Sequence, residues 1–280
     1  MPFQPDDETL DQVEAVARAG AAALMPYWRS LAPDQVDEKS RNDLVTAADR
    51  AAEDAILAEI GRRFPDHAVL AEESGWTRRG DGRPTWIVDP LDGTTNFVHG
   101  IPQFAVSVAV EVAGRIELGV VLDPIKNDLF RAARGHGTTW NGRPCRVSGR
   151  QGLAGAVIAT GFPFRAHELL DPYLAIFREI FLECKAIRRP GAAALDLAWT
   201  ACGLFDGFFE FRLSPWDVAA GSLLVEEAGG TVSDMDGGPG ILAPGDVLCG
   251  APGVHRDLLE VVSGLRHLWR PGETHCSDPQ

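Results

Sequence analysis

The sequence predicts a layered α/β protein, in which helices pack against β-sheets. Long segments carry apolar residues at helical spacing, and short apolar runs bounded by glycine, proline and aspartate are typical of strands. Predicted strands cluster in the first half of the chain and alternate with helices in the second half. With 280 residues, of which 45% are hydrophobic, the chain can bury a large core and form about two domains.

The first half is expected to begin with two helices and to continue as a sheet. Over residues 7–30, apolar residues fall on one face of a helix. After a polar stretch at residues 33–43, Thr46 is expected to begin a second helix that ends near Phe64. Successive strands are then expected at residues 67–71, 85–88, 104–112, 115–122 and 129–133.

The second half is expected to alternate strands and helices from about residue 150. Strands are predicted at residues 157–160, 185–188, 207–211 and 247–250. Helices are predicted at residues 172–184, 192–202, 216–228 and 254–265. We therefore expect an N-terminal unit over residues 1–148, a C-terminal unit over residues 149–270, and a disordered tail at residues 271–280.

The charge balance limits the classes of partner. Forty acidic residues against 26 lysines and arginines give a formal net charge of −14. That balance disfavours nucleic acid and anionic membrane surfaces, whose recognition depends on lysine and arginine. Charge alone also argues against a phosphate-bearing substrate. Bound divalent cations, however, would make the local charge of a site positive.

The sequence also predicts a cytoplasmic protein with reduced thiols. No apolar stretch approaches the roughly 18 to 20 residues that a membrane span needs, and the acidic N-terminus lacks a signal pattern. The five cysteines are widely scattered, odd in number and without a C-x-x-C pair. We therefore expect neither a disulfide framework nor a zinc site.

The strongest local pattern is the run from Trp86 to Phe97, WIVDPLDGTTNF. An apolar strand ends at Asp89, and Asp92 follows so closely that the two carboxylates can converge with a backbone carbonyl between them. The following Gly-Thr-Thr offers a flexible backbone and two hydroxyls. If a helix begins there, its free N–H groups would bind a phosphate. The Asp-Gly pair alone is equally typical of a turn.

Four further carboxylates stand out, and each also has a purely structural interpretation. Glu72 and Glu73 follow a short strand and could be a solvated loop edge. Asp217 opens an apolar helix, where it would favour the helix dipole. Asp49 forms a Thr-x-x-Asp capping pattern with Thr46. Together the carboxylates indicate a hard-cation site, for which Mg²⁺ is the natural occupant and Mn²⁺ the alternative.

These motifs together resemble the inositol monophosphatase family, a group of lithium-sensitive, metal-dependent sugar phosphatases. The similarity covers about residues 10–265, and its segments occur in the family's order. They are Asp43–Asp49 (DLVTAAD), Glu72–Ser74 (EES), Asp89–Phe97 (DPLDGTTNF) and Trp216–Gly221 (WDVAAG). The resemblance implies an αβαβα sandwich, with a metal- and phosphate-binding N-terminal half, that forms a homodimer.

The resemblance also implies a set of metal ligands. A first ion would be held by Glu72, Asp89 and the carbonyl of Leu91. A second ion would be held by Asp89, Asp92 and Asp217. A third, weaker ion would lie near Glu72, so that each site would hold two to three Mg²⁺ ions. Lys39 resembles a basic residue near this site, although its spacing is one residue shorter than the family pattern.

Further positions are implied to bind the substrate. The phosphate would be received by Gly93, Thr94 and Thr95, and Asp92 and Asp217 would face the substrate as well as metal. In the second half, Glu210 matches a position that hydrogen-bonds a substrate hydroxyl. The backbone of Ala193 would face the polyol, and Ser214, where some relatives carry histidine, receives no role.

The implied activity is Mg²⁺-dependent hydrolysis of inositol monophosphate by direct in-line attack of water. Thr94 and Glu72 would orient the water, with Asp49 assisting through Thr94 or from the shell of the third ion. No phosphoenzyme is expected, since positioning and charge neutralisation dominate phosphoryl transfer.

Alternative functions remain open from the sequence. The same scaffold could serve a phosphatase of fructose 1,6-bisphosphate, histidinol phosphate or a 3′-phosphoadenosine nucleotide. A non-catalytic interaction protein is a further alternative. The retained Glu72, Asp89, Asp92 and Asp217 argue against that role as the sole one, because an inactive relative should have lost a metal ligand.

Overall fold

The computed structural model describes residues 6–40, 43–78 and 82–270. Its helices are α1 (Asp7–Leu24), α2 (Ala47–Arg63), α3 (Thr94–Val98), α4 (Leu170–Glu183), α5 (Ala193–Ala201), α6 (Pro215–Glu227), α7 (Pro252–Gly264) and α8 (Arg266–Trp269). Its strands in the first half are β1 (Val36–Ser40), β2 (Asp43–Thr46), β3 (Ala68–Ala71), β4 (Gly75–Arg78), β5 (Thr85–Asp92), β6 (Ala105–Val112), β7 (Arg115–Asp123), β8 (Asp128–Ala133), β9 (Gly137–Trp140) and β10 (Arg143–Cys145). Its strands in the second half are β11 (Val157–Thr160), β12 (Ala186–Arg188), β13 (Gly207–Glu210), β14 (Thr231–Ser233) and β15 (Val247–Gly250).

Two large sheets form the framework. An eight-stranded sheet has the order β10-β9-β8-β7-β6-β5-β3-β4, and a five-stranded sheet has the order β12-β11-β13-β15-β14. Most neighbours in the larger sheet are antiparallel, whereas β3 runs parallel to β5. In the smaller sheet, β11 is parallel to both β12 and β13. Strands β1 and β2 pair antiparallel as a separate two-stranded sheet.

Helices complete five layers. The pair α1 and α2 covers the outer face of the large sheet, α5 and α6 lie between the two sheets, and α4 and α7 cover the small sheet. The fold is therefore an αβαβα sandwich. Helix α6 is buried around most of its circumference, as expected for a helix between two sheets. It approaches β7 closely at Gly119, where a Cβ would lie 2.9 Å from the carbonyl oxygen of Ala220.

The predicted elements are largely present, with some differences at their ends. Helix α1 ends at Leu24 and is followed by a short 3₁₀ turn at Met25–Tyr27, because Pro26 cannot continue an α-helix. Strand β1 lies within the polar stretch at residues 33–43, its partner β2 follows at Asp43–Thr46, and the sequence pattern predicts neither strand. Strands β4, β9, β10 and β14 and the short helix α8 are also absent from the prediction. Helix α3 begins where the sequence analysis considers a helix start as a condition for binding phosphate.

The division at residue 148 stays a prediction. The large sheet ends at Cys145 and the small sheet begins at Val157, but α5 and α6 contact strands of both sheets. The expected disordered tail at residues 271–280 lies outside the described residues. Within the described ranges, no helix is both long and apolar enough to cross a membrane.

The prediction that all cysteines are reduced is wrong. Cys145 at the end of β10 forms a disulfide with Cys202 just after α5, with their Cα atoms 5.0 Å apart. Among the described residues, Cys184 and Cys249 are free. The bonded pair is separated by 57 residues, so spacing could not reveal that the fold brings the ends of these two elements together.

Candidate metal and phosphate site

Three aspartates meet at the end of β5 and the start of α6. The pairing of β5 with β6 shifts between Asp89 and Asp92, so the strand is irregular where both carboxylates turn toward one point. Asp217 lies in the first turn of α6. Each of the three residues offers one carboxylate oxygen, and these atoms all lie within 4.8 Å of one another.

Backbone N–H groups fix the orientation of these carboxylates. Asp89 accepts a hydrogen bond of 2.9 Å from the Leu91 N–H, and Asp217 accepts one of 2.6 Å from the Ser214 N–H. Asp92 accepts bonds from two successive N–H groups at the start of α5, at 3.2 Å from Ala193 and 2.8 Å from Ala194. Asp92 therefore links the first half of the chain to the second.

Burial and mutual repulsion of the carboxylates make the cluster a favourable place for a cation. Burial, and then the neighbouring carboxylates, raise the pKa of Asp89 well above its usual range. Burial followed by the charge of Asp217 raises the pKa of Asp92 to about 8. The pKa of Asp217 is raised to about 6 by burial and then by Glu72. An all-oxygen set of buried carboxylates fits a hard divalent cation, which would relieve this repulsion.

Glu72 lies in the loop after β3, next to the aspartates. Its N–H donates to the carbonyl of Val88, and its carboxylate adds to the charge that raises the pKa of Asp89. The Lys39 ammonium lies 3.1 Å from the carboxylate of Glu72 and 2.6 Å from that of Glu73. Burial lowers the pKa of Lys39, but the two glutamates outweigh burial and raise it. The structure thus places Lys39 beside the cluster despite its unexpected spacing.

Asp49 serves both as a helix cap and as a neighbour of the site. One carboxylate oxygen accepts hydrogen bonds from the N–H and the hydroxyl of Thr46, which closes the capping box of α2. The other oxygen accepts a bond of 3.0 Å from the Thr94 hydroxyl, which also lies 3.0 Å from the carbonyl oxygen of Leu91. Burial raises the pKa of Asp49 to about 6. The two interpretations of Asp49 are therefore compatible.

The loop after Asp92 enters the short helix α3. Gly93 caps it with φ +91°, a left-handed conformation that favours glycine, and a Cβ there would lie 3.0 Å from the carbonyl oxygen of Gln103. Thr94 and Thr95 follow at the start of α3. The side-chain amide of Asn96 donates toward the carbonyls of Gln103, Pro190 and Gly191, at 2.7, 3.0 and 3.2 Å. Asn96 therefore connects the Gly93–Thr95 turn, the predicted phosphate loop, to the loop before α5.

A cleft of about 630 Å³ extends from this cluster toward the small sheet. On its far wall, Glu210 ends β13, and its carboxylate lies so close to Gly161 that a Cβ there would overlap it. Burial raises the pKa of Glu210 to about 8, although Arg189 opposes the shift. The residues that line the cleft include Glu72, Asp89, Leu91, Asp92, Gly93, Thr94, Thr95, Ala193 and Asp217 at one end, and Phe162, Phe164, Arg165, Arg189 and Glu210 toward the other.

Comparisons with known proteins identify the family of this chain. The model of the inositol monophosphatase family matches residues 6–267. The chain belongs to the inositol monophosphatase family.

Similar proteins carry two kinds of name. The chain is 49% identical over 250 residues to Nus factor SuhB of Pseudomonas aeruginosa, covering 88% of this chain and 92% of that protein. It is 46% identical over 247 residues to inositol-1-monophosphatase of Mesorhizobium japonicum, covering 86% and 93%. The crystal structure of extragenic suppressor protein suhB from Bartonella henselae superposes with a TM-score of 0.88 at 41% identity, covering 91% of this chain and 98% of that one.

Membership of the inositol monophosphatase family confirms the resemblance drawn from the sequence motifs, and the similar crystal structure confirms the predicted fold class. The metal, phosphate and polyol roles of individual residues stay predictions. All of the predicted site residues except Asp49 line one cleft, including Ala193, whose N–H is directed at Asp92 rather than left free for a ligand. Asp49 contacts the lining through the hydroxyl of Thr94. Ser214 contributes its backbone N–H to Asp217.

Sequence reasoning missed several residues around this cleft. Glu53 on α2 and Asn96 on α3 hold loops of the site, and Arg189 lies on the cleft wall. Glu53 could have been found, because it follows Asp49 by four residues and so shares its helix face. The Arg-Arg pair before Gly191 was a visible basic signal, but its direction toward the cleft depends on the fold.

Proposed function

We propose that this member of the inositol monophosphatase family is a Mg²⁺-dependent phosphomonoesterase that converts inositol monophosphate and water into inositol and phosphate. The observation that carries the proposal is the convergence of Asp89, Asp92 and Asp217 beside the Gly93–Thr94 turn. Buried carboxylates within 4.8 Å of one another would hold hard cations, and the adjoining helix start offers N–H donors to a phosphate.

The chain's own residues would divide the work of binding metal. Glu72, Asp89 and the carbonyl of Leu91 would hold one Mg²⁺, and Asp89, Asp92 and Asp217 would hold another. Bound Mg²⁺ would neutralise phosphate charge, lower the pKa of the attacking water and stabilise the leaving oxygen.

Thr94 is placed to orient the attacking water. Its hydroxyl has one proton and two acceptor lone pairs, and Asp49 accepts that proton at 3.0 Å. When Thr94 donates to Asp49, its oxygen is left as an acceptor for a water molecule. Glu72 would accept a second hydrogen bond from the same water. The water oxygen then attacks phosphorus and the P–O ester bond breaks. Of the two protons that the water brings, one is transferred to the leaving polyol oxygen and the other remains with the phosphate.

The far wall of the cleft would bind the polyol. Glu210 is the acidic group there, and it can accept a hydrogen bond from a hydroxyl or, when protonated, donate one. A carboxyl in this position suits a hydroxyl-rich leaving group. An ionised carboxylate would also pair with the ammonium group of histidinol phosphate, so the choice between these two esters depends on the assay that follows.

A phosphate-release assay tests the proposal. Purified protein is given inositol 1-phosphate, fructose 1,6-bisphosphate, histidinol phosphate or 3′-phosphoadenosine 5′-phosphate, with Mg²⁺ or with a chelator. We expect the highest kcat/KM for inositol 1-phosphate, inhibition by lithium and no release in chelator. Preference for another ester would overturn the substrate, and release that persists in chelator would overturn the metal-dependent mechanism.

A second candidate function follows from the names of similar proteins. Several relatives that are 46% to 49% identical are called Nus factor SuhB, which favours a role beyond phosphate-ester hydrolysis. Folded protein that binds Mg²⁺ but releases phosphate from none of the four esters would favour that role.

We also propose that the protein forms a homodimer. Size-exclusion chromatography with light scattering tests this proposal, since a homodimer has twice the mass of the chain.

A further inference from the structure

Helix α2 carries two buried carboxylates on one face. Asp49 and Glu53 are four residues apart, so they lie one turn from each other, and Glu53 is only 4% exposed. Asp49 caps the helix and accepts the Thr94 hydroxyl. Glu53 plays no part in the cap, and a buried carboxylate requires a compensating set of donors.

Both oxygens of Glu53 are used by the loop that carries Glu72. One oxygen accepts a hydrogen bond of 2.8 Å from the N–H of Glu73, and the other accepts one of 2.9 Å from the N–H of Ser74. The N–H of Glu72 itself donates to the carbonyl of Val88 at 3.1 Å. The backbone at Glu72 is therefore held by β5 on one side and by α2 on the other.

The two carboxylates on α2 hold the two residues that would orient the attacking water, Thr94 and Glu72. Asp49 holds Thr94, and Glu53 holds the loop of Glu72, although these loops are separated by more than 20 residues of sequence. Four residues of helix span about 6 Å along its axis, and a helix of this length is rigid on that scale. A shared anchor of this kind fixes the distance between the loops better than separate contacts would.

We propose that Glu53 is a positioning residue that holds Glu72 in place to bind metal and to orient the attacking water. Its part in orienting the water rests on the proposed function, whereas its effect on metal binding can be measured without catalysis. Glu53 itself touches neither metal nor substrate in this proposal, because both of its oxygens are occupied by backbone N–H groups.

The Glu53→Gln variant tests the proposal. Glutamine has the same shape, but its amide would direct an NH₂ group at a backbone N–H, so one of the two bonds is replaced by a clash of donors. Mg²⁺ binding is measured by titration calorimetry without substrate, and kcat and KM are measured with inositol 1-phosphate. We expect Mg²⁺ affinity and kcat each to fall by roughly 10- to 100-fold, as for other residues that orient a metal ligand, with KM close to wild type.

Two further variants separate positioning from general stability. Glu59→Gln removes a carboxylate from the same helix, where Glu59 pairs with Arg62 and Arg63 away from the site, and should leave Mg²⁺ affinity unchanged. Glu53→Asp keeps the charge but is one methylene too short, so it should also weaken Mg²⁺ binding. It replaces Glu53→Gln in the test if the glutamine variant does not fold.

The outcomes are decisive for Glu53. A lowered Tm with wild-type Mg²⁺ affinity and kcat would overturn the proposal and leave Glu53 with a structural role only. If the wild type binds Mg²⁺ but hydrolyses no ester, the proposed function fails, while calorimetry still decides whether Glu53 supports the metal site. If the wild type is active and both Glu53 variants bind Mg²⁺ normally, only the inference about Glu53 fails.

Discussion

The two ends of the cleft are built in different ways. At the acidic end, Asp92 and Asp217 are buried and held by backbone N–H groups. At the outer end, Phe164 is 48% exposed and the guanidinium of Arg189 lies 5.2 Å from its ring centroid. The acidic end is thus fixed by short bonds to helix starts and strand ends. The outer end, toward the small sheet, combines exposed side chains on loops, such as Phe164 and Arg189, with Glu210 at the end of β13.

This difference separates chemistry from selectivity. A group fixed by the backbone keeps its geometry whichever ester is bound, so changes at the acidic end should affect all substrates alike. Under the proposed function, side chains at the outer end would contact the part of the ester that varies between substrates. Changes there should alter the ratio of activities between esters and leave the common step intact.

The largest effect is expected for Asp89→Asn. Asp89 lies within reach of Asp92, Asp217 and Glu72, so it would contribute to both metal positions. Phosphate release should fall by several orders of magnitude for every ester. The fold should persist, because the change removes a buried charge that its neighbours repel, and the circular dichroism spectrum should match the wild type.

Asp66→Asn is the matched control, since the Asp66 side chain is 88% exposed at a distance from the cleft. It should retain wild-type activity. Near-normal hydrolysis by the Asp89 variant would show that the acidic end is not where the reaction takes place.

The convergence of Asp89 and Asp92 could be predicted from the sequence because most groups of the acidic end are close together in the chain. Asp89, Asp92 and Thr94 share one strand-to-helix turn, so an apolar run followed by polar residues was enough to place them together. The assignment of Glu72 and Asp217 to the same site rests on the family resemblance rather than on their spacing in the chain. Their convergence depends on β3 pairing with β5 and on α6 packing between the sheets.

Features that depend on distant parts of the chain were less predictable. The Cys145–Cys202 disulfide joins elements 57 residues apart, and Asn96 reaches carbonyls nearly a hundred residues away. The outer end is of the same kind, since Phe164 and Arg189 come from loops after different strands. Local pattern gives no information on how such loops fold toward one another.

A smaller effect is expected for Thr94→Val, which keeps the shape of the side chain but removes the hydroxyl. Losing an oriented acceptor for the attacking water should lower kcat by about 100-fold, the lower range for acid–base and orienting groups. KM should change little, because the backbone N–H groups of the phosphate loop remain. Thr94→Ser should restore most of the activity, and equal kcat values for the Val and Ser variants would contradict the role of the hydroxyl.

A change on the polyol side should act on selectivity. Glu210→Gln replaces a carboxyl group that can ionise with an amide that cannot. Weakening the hydrogen bond to a substrate hydroxyl in this way should lower kcat/KM for inositol 1-phosphate by about tenfold. Hydrolysis of p-nitrophenyl phosphate, which has no polyol hydroxyls, should be nearly unaffected. If both esters lose activity equally, Glu210 belongs functionally to the acidic end and the comparison between the two ends must be redrawn.

The smallest expected effect is a pH-dependent stabilisation by Mg²⁺. Burial raises the pKa of Asp92 from 3.8 to about 8, and that of Asp217 to about 6. Between the ordinary and the raised values, the native protein keeps protons that the unfolded chain has lost. The stability of the metal-free protein should therefore fall as pH rises through this range.

Mg²⁺ binds deprotonated carboxylates and relieves their repulsion, so it should raise Tm more at pH 8 than at pH 5.5. Thermal unfolding with and without Mg²⁺ at both pH values measures the difference. The Asp89→Asn variant should show a smaller pH dependence, because one of the repelling charges is gone. An equal Mg²⁺-induced shift in Tm at both pH values would mean that the protein itself already neutralises the carboxylates of the acidic end. Repulsion between these carboxylates would then not distinguish the acidic end from the outer end.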